Sequence, residues 1–183
     1  MSFQSILNTL SFQKFKKLGP RSSRAPTETN LWLERIMQTY GDLLYDLCES
    51  VLWSPSGAPA AFRSVLKELK RQKRLNHYQS FERAWVLRVA SQKLKQLSIA
   101  QSRKLTPSEQ IMLDSTLNMN ARFKQFDSYF HRLNTDEQLL LLLRDKYGIP
   151  YPEIAAALAL PEGSLKMRRQ QALRALEGWL WNE

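Results

Sequence analysis

Apolar side chains recur at three- and four-residue steps through most of the chain, the spacing of helices with one buried stripe. From Leu33 the series runs through Ile36, Met37, Tyr40, Leu44, Leu47, Cys48 and Val51. It predicts one amphipathic helix of about six turns, opened by Thr29 or Asn30 as N-cap. Gly41 inside it costs about 1 kcal/mol relative to Ala, so packing has to hold this helix. The stretch Ser54-Pro55-Ser56-Gly57-Ala58-Pro59 stops it. A second helix, Ala60 to Arg74, turns Phe62, Val65, Leu66 and Leu69 inward. A third, capped by Ser80 and running to Leu97, places Phe81, Trp85 and Val89 on one face.

From Ser98 to Leu133 the pattern weakens. Thr106-Pro107-Ser108-Glu109 reads as a helix start, and Phe123, Phe126, Tyr129 and Phe130 read as packing aromatics. The segment is a connector containing helix. Asn134-Thr135-Asp136-Glu137-Gln138 then opens a helix, with Thr135 expected to cap and Gln138 to answer it. Leu139 to Leu143 supply its buried stripe, and Lys146 with Gly148 closes it. Next come a short helix burying Ile154, Ala155 and Leu158, and a turn packed by Leu160. A second helix follows, with Leu165, Ala172, Leu176 and Leu180 on one stripe. That is the local form of a helix-turn-helix, whose second helix lies in the DNA major groove.

The expected fold is therefore all-α: two small helical domains, 30–97 and 134–183, joined by a helical connector at 98–133. A basic flexible extension, 1–29, precedes them; Gly19-Pro20 and the run to Pro26 read as linker, and no apolar signal core occurs there.

Charge changes the picture more than composition does. The formal net charge is +10, and residues 62–104 hold 12 Lys or Arg against Glu68 and Glu82. The rest of the chain nearly cancels, so a polyanion should touch the middle of the chain as well as the terminal helices. The single cysteine, Cys48, excludes an internal disulfide and reads as a buried structural thiol. No apolar run approaches the roughly 20 residues of a membrane span. His77 and His131 lie far apart, and no Gly-rich phosphate loop or metal-ligand cluster occurs, so neither an enzyme nor a cofactor is expected.

Candidate contacts follow from these faces. On the last helix Ser164, Lys166, Met167, Arg168, Arg169, Gln170, Gln171 and Arg174 are the candidates for duplex DNA. Arg suits guanine bidentately, Gln suits adenine, and Lys or Ser suits phosphates. A solvated amphipathic helix would show the same charges. In the middle, Arg74 to Trp85 mixes aromatics with cations at a loop-to-helix junction, the combination that holds single-stranded nucleic acid. Asn76, His77, Tyr78, Arg83 and Arg88 are the candidates for a melted strand. Trp85 and Phe81 read as core.

Leu133 to Leu180 resembles the C-terminal DNA-binding region of bacterial sigma factors, most closely the extracytoplasmic-function group. The likeness rests on Tyr147-Gly148, Tyr151, Glu153-Ile154-Ala155, Leu158, Leu160-Pro161, Gly163-Ser164-Leu165-Lys166, Arg168, Ala172 and Leu176. Tyr40 to Tyr45 and Ala84 to Ala90 are similar to helices of that family's other conserved region. Departures occur. The family usually has Thr-Val at Ser164-Leu165, Arg at Gln171 and Leu173, and Leu at Arg169. Its acidic Asp-Ala-Glu-Asp run is replaced here by Gly57 to Ala61, and its aspartate near Gln96 is absent.

The resemblance implies a non-catalytic initiation protein of the bacterial cytoplasm. Its partners would be promoter DNA, core RNA polymerase and, in some cases, an anti-sigma factor. The first domain would melt the −10 element, capturing bases near Asn76 to Ser80, and the last would bind the −35 duplex. Two other readings remain open: a helix-turn-helix regulator that binds duplex DNA without directing polymerase, and an interaction protein that occupies polymerase without reading promoters.

Overall fold

The computed structural model describes residues 28–52, 57–75, 82–102 and 128–181. It places six α-helices among them: α1 (Glu28–Leu52), α2 (Ala58–Arg74), α3 (Glu82–Ser102), α4 (Thr135–Leu141), α5 (Tyr151–Leu158) and α6 (Glu162–Trp181). The fold of the described residues is all-α, as the periodicity predicts. Two compact units divide the chain, 1–42 and 43–183. The described part of the first, residues 28–42, is the opening of α1, where Trp32 and Ile36 are buried. All that follows concerns the second.

There α1 buries Leu44, Leu47, Cys48 and Val51. Burial pushes the Cys48 thiol pKa up to about 12, so it stays a neutral core group. Helix α2 begins at Ala58 rather than Ala60, because Gly57 serves as N-cap and Pro59 fits the first turn, where no amide partner is needed. It turns Ala61, Phe62, Val65 and Leu69 inward, and the Phe62 ring meets Tyr45 edge-on at 5.6 Å.

Helix α3 differs most from expectation. Its sequence suggests one apolar face, yet Trp85, Val86, Leu87, Val89, Ala90 and Leu94 are all buried. A helix apolar on more than one side is enclosed by its neighbours. Here α2 packs on one side, and α5 with α4 packs on the other. The helix also runs to Ser102, five residues past the expected end at Leu97.

The start of α4 is capped differently from the expectation. Asn134, not Thr135, is the N-cap: its side chain accepts from the Glu137 amide at 3.0 Å, and Glu137 accepts from the Asn134 amide at 3.0 Å. The capping box is thus one residue earlier than Thr135 with Gln138. Gln138 is instead buried, its amide donating to the carbonyls of Phe130 (3.1 Å) and Leu133 (3.0 Å). Those bonds draw the 129–133 segment against α4. Tyr129, Phe130 and Leu133 then form one core cluster with Leu141, Ala172 and Leu176. Past Leu141 the helix widens into a π turn, Leu142–Lys146, and ends at Gly148, whose φ of +63° is a conformation glycine adopts without strain.

At the edge of this cluster His131 lies edge-on to Phe130, and burial pulls its pKa from 6.5 down to about 4. The unfolded chain therefore binds this proton at a pH where the folded chain does not. The His131 contribution is complete above pH 6.5 and is lost as pH falls toward 4. Denaturation followed from pH 7 to 4.5 should show that slope, flattened in His131→Asn; an equal slope in the variant would exclude His131 as its source. Gln138→Leu should cost about 1 kcal/mol in denaturant unfolding, since Leu133 O loses this donor while Phe130 O keeps the Leu133 amide.

Candidate nucleic-acid interface

The turn between α5 and α6 sets the angle of the last helix. Pro150 caps α5 in an extended conformation, and α5 buries Ile154, Ala157 and Leu158. Ala155, expected inside, is half-buried, and Ala157 takes the inner position. Ala159 then adopts the left-handed region (φ 56°, ψ 44°), and the Leu160 amide donates to Ala155 O at 3.1 Å. An alanine there bears a strain of about 1–2 kcal/mol that a glycine would not. Helix α6 follows, anchored by Leu165, Ala172 and Leu176.

The duplex candidates separate into three kinds. Lys166, Met167, Gln170, Gln171 and Arg174 are exposed. Arg168 is half-buried on the same helix. Ser164 and Arg169 are engaged within the protein. The Ser164 hydroxyl donates to Pro161 O at 2.8 Å, closing the first turn of α6. Arg169 forks onto Asp145 of the preceding π turn, its Nε lying 2.9 Å from both carboxylate oxygens. That bond ties α6 back across α5 to the π turn that continues α4.

Two further groups join this surface that were not among the duplex candidates. The Arg144 guanidinium lies 4.7 Å from the Tyr151 ring centroid, and the Lys166 ammonium lies 6.0 Å from it. Arg144 also donates to Ile149 O at 3.2 Å. Three segments thus converge beside the exposed face of α6, with two cations steadied on one ring. The signal for Tyr151 was its place in the family pattern; nothing in the spacing points to Arg144.

The melted-strand candidates fare differently. Asn76, His77 and Tyr78 lie outside the described residues. Arg83, on α3, pairs bidentately with Glu153 of α5, its Nε at 2.6 Å. That hydrogen bond from Arg83 lowers the Glu153 pKa. Arg88 is exposed and borders a groove of about 280 Å³ between α2 and α3, lined by Arg71, Gln72, Leu75, Trp85, Val89 and Gln92. The groove is bordered by two guanidiniums and one indole at the C-terminal end of α2, the Arg71 guanidinium being itself paired with Glu68.

The basic surplus is partly spent inside the protein. Lys95 pairs with Asp136 at 2.5 Å and donates to Leu158 O at 3.2 Å. Thr135 donates to the Ser98 hydroxyl at 3.1 Å. Asp46 of α1 accepts from Lys146 and from the Tyr147 hydroxyl, both at 2.7 Å. Among the described residues no group of acidic, His and Cys side chains could hold a metal ion. None of the described helices is long and apolar enough to cross a membrane.

These features define an all-α protein whose last two helices have the form of a helix-turn-helix. Residues 123–176 match the family model for region 4 of sigma-70 factors. The fold is similar to that of the sigma factor RpoE from Bartonella quintana, solved in complex with the anti-sigma factor NepR. That likeness has a TM-score of 0.58 and 16% sequence identity, covering 80% of this chain and 95% of the other. No curated protein matches the chain in sequence. Residues 123–176 are thus similar to sigma-70 region 4, and the all-α fold of the described residues is similar to that of a solved sigma factor.

Replacing Ala159 with Gly should stabilise the protein by about 1 kcal/mol, measured by chemical denaturation, because the left-handed turn residue loses its Cβ clash. A loss of stability would show that the turn conformation differs from the one described.

Proposed function

We propose that this protein is a sigma factor of the extracytoplasmic-function type, which recruits core RNA polymerase to promoters in the bacterial cytoplasm and has no catalytic activity of its own. The observation that carries the reading is the open face of α6: a region 4 match whose helix leaves Lys166, Met167, Gln170, Gln171 and Arg174 in solvent. Residues 134–183 form the module for the upstream (−35) duplex. Residues 30–97 form the module for the downstream (−10) strand, with Arg88 and the α2–α3 groove as part of its surface. Residues 98–133 connect them, and 1–29 are a basic extension.

The geometry adds a requirement. Elements named −10 and −35 lie about 25 base pairs apart, roughly 85 Å of duplex at 3.4 Å per step. Here α3 packs directly on α5, and Glu153 holds Arg83. Engaging both elements at once therefore requires the α3–α5 contact to open, which releases Arg83 toward phosphate. Polymerase supplies the surface that holds the modules apart. RpoE is solved with NepR, and an anti-sigma partner that holds the modules together is proposed for this chain.

A second reading has specific support. Helix α2 has no acidic residue in its first turn, where the family carries its acidic run. That favours a regulator that binds duplex DNA alone.

Purified protein mixed with core polymerase should form a complex and give transcripts from a specific promoter. Duplex retention without transcripts would transfer the conclusion to the regulator. The variant with Lys166→Ala and Arg168→Ala should bind the upstream element roughly ten- to a hundredfold more weakly, about 1–3 kcal/mol for a lost base contact. Unchanged affinity in a gel-shift titration would remove both from the site.

A further inference from the structure

We propose that Met167 is a base-reading residue, which selects thymine in the upstream element through the thymine 5-methyl group. The inference rests on the reading of α6 as a duplex-binding helix. Met167 is 57% exposed, the most exposed large apolar side chain among the described residues. Its position is informative. At about 100° per residue, Met167 and Arg174 stand nearly opposite the buried Leu165, Ala172 and Leu176, and Gln170 and Gln171 flank them. It is therefore the apolar centre of an otherwise polar and basic face, in the N-terminal half of the helix that enters the groove.

Packing gives no reason for a methionine there. A long unbranched thioether is suited instead to a partner that is itself apolar and slightly variable in position. In the major groove the one apolar group on a base edge is the thymine methyl. Gln170 and Gln171 beside it can take adenine, so the patch suits A·T steps, while Arg174 and Lys166 supply guanine or phosphate contacts.

The test uses the full chain and duplexes selected by it from a random pool. Each conserved thymine is then replaced singly by deoxyuridine, which removes only the methyl. One replacement should weaken the wild-type protein about fourfold, the effect of one buried methyl. Met167→Ser should bind thymine and uracil duplexes equally, and Met167→Leu should restore the preference. Circular dichroism should show all three folded alike, as an exposed site permits. If selected duplexes bind in a salt-dependent manner but no uracil replacement matters, or if Met167→Ser keeps the preference, the inference is overturned while duplex binding stands. If no duplex is selected at all, the reading of α6 itself fails.

Discussion

The structure depends on the burial of α3 on two opposite sides. A helix with Val86, Leu87, Ala90 and Leu94 all inaccessible to water needs a neighbour on each side. Helix α2 is one, and α5 with α4 is the other. Removing either would expose several aliphatic side chains at about 1.5–3 kcal/mol each. The ion pairs around this contact are weaker. Arg83–Glu153 and Lys95–Asp136 are both part-exposed, and such pairs contribute about 0–1 kcal/mol each. Apolar burial holds the helices together; the charges set their register.

That division of labour bears on function. A contact held by apolar burial is strong in water, but it can be exchanged for an equivalent apolar surface on a partner. The ion pairs at its edge use the same cations that a phosphate would take. Arg83 is the clearest case: Glu153 occupies its fork, which on the proposed reading a phosphate would take. The exposed face of α6 is not involved. On the proposed reading, one DNA-handling surface is thus open while part of the other is engaged.

The reader itself is built by short-range constraints. The left-handed Ala159, the proline-led α5 and the Asp145–Arg169 pair fix the direction of α6 relative to the helices before it. Tyr151 holds Arg144 and Lys166 to one side. A reading surface benefits from such rigidity, because base contacts reward placement within a fraction of an ångström and each side chain already ordered costs less entropy on binding.

Much of this was legible in the chain. Helix periodicity located α1, α2, α3 and the helix-turn-helix, because a 3.6-residue repeat is a local property. The outward set on α6, Met167 included, followed from the same repeat. The cap of α4 was misplaced by one residue, since Asn134 and Thr135 can both cap, and Asn134 takes the role with Glu137 while Gln138 is buried. Whether Arg169 faces DNA or Asp145 could not be read, as the two are 24 positions apart. The convergence of Arg144, Tyr151 and Lys166 was hidden for the same reason. The excess of charge at 62–104 was plain from the sequence, but its use was not. By itself the sequence determined which helices form and which side of each is apolar. Tertiary structure decided which cations remain in solvent and which join helices, because that depends on acids brought near only when α3 is enclosed.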